Sequence, residues 1–419
     1  MIKKTSLPKL LKNTIVPRCL LVLAFCLFLS LLSPIPVQSQ DGLTILDSSA
    51  KVEFPTRLSF NLSAQSDVNI TDIRLHYVVD RVSFAQVTSE VYIEFVPSSL
   101  VDTKWTWDMR KTGGLPPGSS VDYWWTVEDA KGNKVETPPT RAQFDDIRYP
   151  WRSLTEGKVK LYWYEGEKSF AQEIMATTQQ ALARLAKDTG AYVEKPVKIY
   201  IYANTRDLQG AMIYPQEWTG GVAFTRHGII AIGMAPDNLN WGKRTIAHEL
   251  AHLIIGQMTL NPYNNLPAWL DEGLAMYAEG ELTPEFTSYL NKAIAENSLI
   301  SVRSLSSPFS AYAEEALLAY AQSYSLVEFL ISKYGQGKMF GLLNTFGQGS
   351  SYDTALEKVC GFDSEGLDTL WRDYITTSLL PAKEKETHPA LTGVLAALAT
   401  ELLLALGLAA ESWAWRQGW

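Results

Sequence analysis

The chain has 419 residues, 46% of them apolar, with 37 basic against 45 acidic side chains and a formal charge of −8. This length allows more than one packed core, and the apolar content excludes a disordered polymer. The acidic balance excludes a nucleic-acid binder held by phosphate contacts. Residues 1–40 read as a leader. Lys3, Lys4, Lys9, Lys12 and Arg18 precede an apolar run from Cys19 to Leu32, broken by Pro34 and Pro36, and Val37-Gln38-Ser39 offers a cleavage site. This predicts a signal peptide and export. A signal-anchor is the alternative, although the run is short for a span. Without the leader only Cys360 remains, so no internal disulfide is expected, and an inert thiol is expected at that position.

Residues 41–150 predict an all-β module. Val52 to Leu62, Ile73 to Val79, Glu90 to Phe95, Lys104 to Met109 and Val121 to Val127 are alternating, β-branched or aromatic, and turn signals separate them. The spacing suggests a sandwich. Asp122 to Thr126, followed by Asp129-Ala130-Lys131-Gly132-Asn133, resembles immunoglobulin-like and fibronectin-type modules. Trp105, Trp107, Trp124 and Trp125 are expected in its core, with a carbohydrate platform as the alternative. Pro138, Pro139 and Pro150 mark the boundary with a second domain, residues 151–382.

That domain opens with strand patterns at Val159–Tyr164 and Val197–Tyr202, with a helix from Lys168 to Lys187 between them. Gly220 to Phe224 and Gly228 to Ile232 predict a hairpin turning at Thr225-Arg226-His227, which makes His227 a surface residue. Next comes His248-Glu249-Leu250-Ala251-His252, in a run from Thr245 to Met258 that has no proline. Its apolar pattern predicts a largely buried helix. At i and i+4, His248 and His252 share a face and can take one tetrahedral cation. Glu249 projects one residue round the helix, within reach of a water on that cation. Leu266-Pro267-Ala268 begins a second helix carrying Trp269-Leu270-Asp271-Glu272-Gly273, with Glu272 as a third ligand. Asp271 competes for that role, about 100° away on the helix. Glu279, two turns beyond Glu272 on the same face, is placed to accept the second ring N–H of His248.

The stretch AHELAH, with a Gly four residues later and then WLDEGLAMY, is similar to the gluzincin metallopeptidases. Among them it looks most like the bacterial peptidase MA-like proteins, and more distantly the zinc aminopeptidases and thermolysin. The resemblance spans about residues 155–375 and implies an α+β zincin-like domain. It implies one zinc ion bound by His248, His252 and Glu272, with Glu249 as general base. The helix from Tyr320 to Leu330 is similar to the aminopeptidase helix that opens on a catalytic tyrosine. This implies Tyr320 as donor to the oxyanion, with Tyr312 and Tyr324 as competitors. Zinc aminopeptidases hold the free amino terminus with a Glu in Gly-x-Met-Glu-Asn on the edge strand. Gly220-Gly221-Val222-Ala223-Phe224 has no acid there, which tilts the reading to an endopeptidase.

Residues 383–389 form a charged linker, and residues 390–410 carry a single charge, Glu401, over a spanning length. They predict a transmembrane anchor followed by a short tail, 411–419, with a last packing helix as the alternative. The expectation is thus an exported, zinc-dependent peptidase on the extracytoplasmic side of the membrane, acting on peptide or protein substrates. The rival readings are an inactive zincin scaffold that binds a surface partner, and a membrane-tethered aminopeptidase.

Overall fold

A computed structural model describes residues 39–379, apart from 41, 86, 216–218 and 311. Residues 1–38 of the expected leader and the apolar segment 390–410 lie outside the described residues, whereas Ser39 and Gln40, expected to be part of the leader, pair with Thr44 and Leu43 as strand. Among those described, no helix is long and apolar enough to cross a membrane.

The N-terminal half is all β. Its strands are β1 (Ser39–Gln40), β2 (Leu43–Glu53), β3 (Arg57–Val79), β4 (Ser89–Tyr92), β5 (Ser98–Asp108), β6 (Ser119–Asp129), β7 (Lys134–Glu136) and β8 (Thr140–Phe144). They form one eight-stranded sheet ordered β1-β2-β3-β6-β7, with β4 and β5 also on β3 and β8 on β6. β3 is the spine, 23 residues long. Its first half pairs with β2 and β5 and its second with β4 and β6, and the register shifts around Ile70. Leu58, Phe60, Leu62 and Ala64 alternate inward from one half, Ile73 and Leu75 from the other, and Trp125 and Tyr123 fill the space between. The expected strand Val52–Leu62 is a hairpin instead. Phe54-Pro55-Thr56 turns the chain between β2 and β3, because proline cannot donate to a ladder. Trp125 is fully buried, whereas Trp105 and Trp107 are half-buried and pack against the core beside Tyr77.

The second sheet has five strands: β9 (Arg152–Glu156), β10 (Val159–Trp163), β11 (Val197–Tyr202), β12 (Gly221–Phe224) and β13 (Ile229–Gly233). Their order is β12-β13-β11-β10-β9. The three central strands are parallel and both edges antiparallel. Helix α1 (Lys168–Thr189) makes the crossover from β10 to β11, and α2 (Thr205–Gln209) follows β11. Then come α3 (Leu239–Met258), α4 (Ala268–Glu279), α5 (Pro284–Ala295), α6 (Ala313–Gly347), α7 (Tyr352–Cys360) and α8 (Ser364–Leu379). Strand alternation divides the sheet's two faces. Leu161, Trp163, Ile199, Ile201, Ile230 and Ile232 turn to the helices. Tyr162, Tyr200, Tyr202 and Val222 turn the other way, towards Tyr149 and Trp151 of the connecting segment. α6 breaks at Gly335, whose φ is 77°, and then resumes.

Polar groups pin that connecting segment. The fully buried Asp146 side chain takes a two-pronged bond from Arg148, at 2.8 and 2.6 Å, and accepts from the Tyr202 hydroxyl at 3.0 Å. Lys198 Nζ reaches the Gly118 carbonyl at 2.6 Å. A Cβ on Gly118, whose φ is +78°, would lie 2.1 Å from the Tyr200 hydroxyl, so only glycine lets the sheets approach here.

Candidate metal centre

Helix α3 passes beneath the edge strand β12. A Cβ on Gly221 would meet Thr245 at 3.0 Å and Glu249 at 3.5 Å, and one on Gly256 would meet Thr225 at 2.7 Å. The helix is buried from Thr245 to Ile255, and His248, Glu249 and His252 are 6%, 1% and 1% exposed. Helix α4 returns across it after Pro267, whose extended backbone turns the chain into the new helix. A Cβ on Gly273 would lie 2.3 Å from the Ser323 carbonyl of α6, so the lack of a side chain lets α4 sit close to α6. That brings Glu272 over the two histidines.

His248, His252 and Glu272 each offer a ligand atom, and these lie within 4.8 Å of one another. The two Nε2 atoms are 3.1 Å apart, and Glu272 Oε2 is 3.6 and 3.4 Å from them. Tetrahedral ligands about 2.0–2.1 Å from an ion lie about 3.3–3.4 Å from each other, so this triangle has the right size. The hydrogen bonds on the far side of each ring point the same way. His248 Nδ1 is 2.8 Å from Glu279 Oε1, and His252 Nδ1 is 3.0 Å from Asp271 Oδ1. A carboxylate only accepts, so each ring donates from Nδ1, and in a neutral ring the Nε2 lone pair then faces inward. Two lone pairs and a buried carboxylate pointing at one spot need a positive charge between them. Burial opposes protonation of His248, but Glu272 and Glu279 outweigh it and raise its pKa to about 10. Burial likewise opposes ionisation of Glu272, yet His252 and His248 hold its carboxyl below the usual range. The donor set fits a zinc-like cation.

Asp271 is thus not a competing ligand: it orients His252 from behind. Glu279 accepts from His248 and is gripped by Arg244, with Nε and Nη2 at 3.0 and 2.9 Å from Oε2. Sequence reasoning missed Arg244. The available signal was a basic residue one turn before His248 on the same face. Tyr320 is buried in α6, one turn before Ser323, with its ring edge-on to Phe309 at 5.1 Å. Tyr312 is 76% exposed, and Tyr324 leans on Tyr277 at 6.0 Å. His227 is half-buried in the turn Thr225–His227, its Nε2 enclosed, so it is not the surface residue expected.

A sheet bordered by an antiparallel edge strand, with two histidines on one helix and a glutamate on the next, defines a zincin-like metallopeptidase. Residues 177–377 match the Peptidase MA superfamily. Among solved structures, an M1 zinc metallopeptidase from Deinococcus radiodurans is similar at 15% identity and a TM-score of 0.34, over 80% of this chain and 95% of its own. The Br derivative of BhCBM56 is similar at 8% identity and a TM-score of 0.18, over 26% of this chain and 97% of its own. A polysaccharide deacetylase from Bacillus cereus covers 42% of this chain and 57% of its own, at 10% identity and a TM-score of 0.18. No curated protein matches the chain.

Proposed function

We propose that the protein is an exported zinc peptidase that cleaves internal peptide bonds, with Glu249 as general base. The observation carrying this reading is the triangle of buried ligand atoms on His248, His252 and Glu272, which fits zinc, with Glu249 beside it beneath β12. Zinc bound there supplies Lewis acidity, which makes water a nucleophile near neutral pH and polarises the scissile carbonyl. Glu249 takes the proton from the attacking water and delivers it to the leaving amine. Glu249 is 1% exposed, so its carboxylate is shielded from bulk solvent. Tyr320 is assigned as donor to the carbonyl oxygen as charge grows there. The substrate backbone pairs with the outer edge of β12 and is held extended across the site. β12 carries no carboxylate that would hold a free amino terminus, which favours internal bonds. Export rests on the leader in residues 1–40, and membrane attachment on the apolar segment 390–410.

The test is a set of substitutions. Glu249→Gln is expected to keep zinc and lose hydrolysis by several orders of magnitude, while His252→Ala and Glu272→Ala lose zinc itself, read by atomic absorption. Full activity in Glu249→Gln removes the mechanism. Tyr320→Phe is expected to lower kcat by about 10²–10³ with zinc retained.

A further inference from the structure

Beyond its last paired residue, Phe224, the free edge of β12 does not continue into open solvent. The backbone N–H of Val82, from the loop after β3, donates to the Arg226 carbonyl at 2.6 Å. The Arg226 guanidinium lies over the Phe84 ring of the same loop, 5.4 Å from its centroid. The all-β half thus meets the chain just past Phe224, at the end of β12 away from Gly221 and Glu249.

This end is basic and lacks its counter-charge. Neither Arg81 nor Arg226 forms an ion pair with a carboxylate among the described residues, whereas nearby Asp80 lies 3.9 Å from Arg141. Arg226 is half-buried and its Nε is enclosed without a hydrogen-bond partner. Burial, then the Arg81 charge, lower its pKa. Arg81 adjoins Val82, whose N–H bonds the Arg226 carbonyl, so the two basic residues flank one backbone contact, and a partly desolvated guanidinium there is a group that an anion would complete. A peptide paired antiparallel with β12 brings residues about three to five positions before the one opposite Gly221 alongside Phe224 to Arg226, at about 3.3 Å per residue.

We propose that Arg81 and Arg226 form a carboxylate-recognising subsite at the amino-terminal end of the peptide groove, so that the enzyme selects substrates with Asp or Glu a few residues before the cleaved bond. This rests on the peptidase reading above. The all-β half then supplies part of the specificity and limits how far the substrate extends in that direction. Arg81 is exposed, so it is the position to change without disturbing the fold.

Two measurements on the full chain test this. Binding of blocked peptides with Glu, Gln or Lys at the fourth position before a fixed cleavable bond is followed by fluorescence anisotropy in Glu249→Gln. Cleavage of the same peptides is followed in the otherwise unaltered enzyme. The Glu peptide is expected to bind about ten-fold tighter than the Gln peptide, an advantage that one charge-assisted contact supplies and added salt weakens. Arg81→Gln is expected to remove most of that advantage, and Arg81→Glu to favour the Lys peptide. Equal binding of Glu and Gln peptides by an enzyme that cleaves both overturns the subsite, as does an unchanged preference in Arg81→Glu. If no peptide is cleaved but the Glu peptide still binds through Arg81, the subsite stands and the peptidase reading falls. If no peptide binds, both fall.

Discussion

Each histidine of the proposed metal site is held by a carboxylate from behind: Asp271 accepts from His252, and Glu279 is fixed at both oxygens, by His248 and by Arg244. Arg244 therefore acts on the metal through Glu279. Arg244→Met is expected to weaken zinc binding by about 10–100-fold, measured by chelator competition, and Arg244→Lys by less. In a Glu279→Gln background the Arg244 effect should vanish, because the link between them is gone. His227 gives a prediction of a different kind. Burial, then repulsion from Arg81 and Arg226, push its pKa down to about 4. The folded protein thus holds it neutral where the unfolded chain protonates it, below about pH 6.5. Its contribution to stability is complete above that pH and is lost as pH falls towards 4, at most about 3 kcal/mol in all. Urea melts at pH 7 and pH 4.5 should show His227→Gln losing less stability on acidification than the parent. An equal loss would falsify the assignment.

At the scale of elements, α3 and the start of α4 were legible in the sequence because their chemistry forced their pattern. Two histidines and two glutamates enclosed in apolar runs have few other uses. The β12–β13 hairpin was legible for the same reason, its two short β-rich runs flanking a three-residue turn. What escaped were features settled by partners distant in sequence. Asp271 stayed a competitor to Glu272 as ligand because its adjacency to Glu272 was visible and its contact with His252 was not. Arg244 needed the position of Glu279, 35 residues away. The turn at Pro55 was overridden by the β-rich residues on either side of it. The packing of α4 on α6 gives a prediction here: Gly273→Val places methyls where a Cβ alone already lies 2.3 Å from the Ser323 carbonyl and 2.7 Å from Val327. It is expected to cost about 1–3 kcal/mol as an overpacked contact, and to shift Glu272 off the histidines. A thermal melt and zinc content check it; an unchanged melting temperature with full zinc would count against it.

Over the whole molecule, an aromatic wall from the connecting segment lies against the second sheet. Tyr149 stacks on Tyr164 at 4.3 Å, and Trp151 stands edge-on to Tyr164, Tyr200 and Tyr202. The outward face of the second sheet, with Tyr200, Tyr202 and Val222, packs on this wall and on Leu208 and Ala211 beside it. A chain beginning at Asp145 is expected to melt cooperatively, because it keeps Asp146, Arg148 and Tyr149. One beginning at Trp151 should lose that transition and bind a dye specific for exposed apolar surface. Cooperative melting of both would show that the wall is dispensable.

The close approach of Gly118 to Tyr200 also bears on order in time. These residues are 82 positions apart, and Lys198 reaches back to the same glycine. Synthesis runs from the amino terminus, so β1 to β8 can be complete before β11 leaves the ribosome. The tyrosine face of the second sheet then emerges beside a finished surface instead of into water. The all-β half thus shelters the later sheet at the stage when its parallel strands, slow to pair, are most open to aggregation.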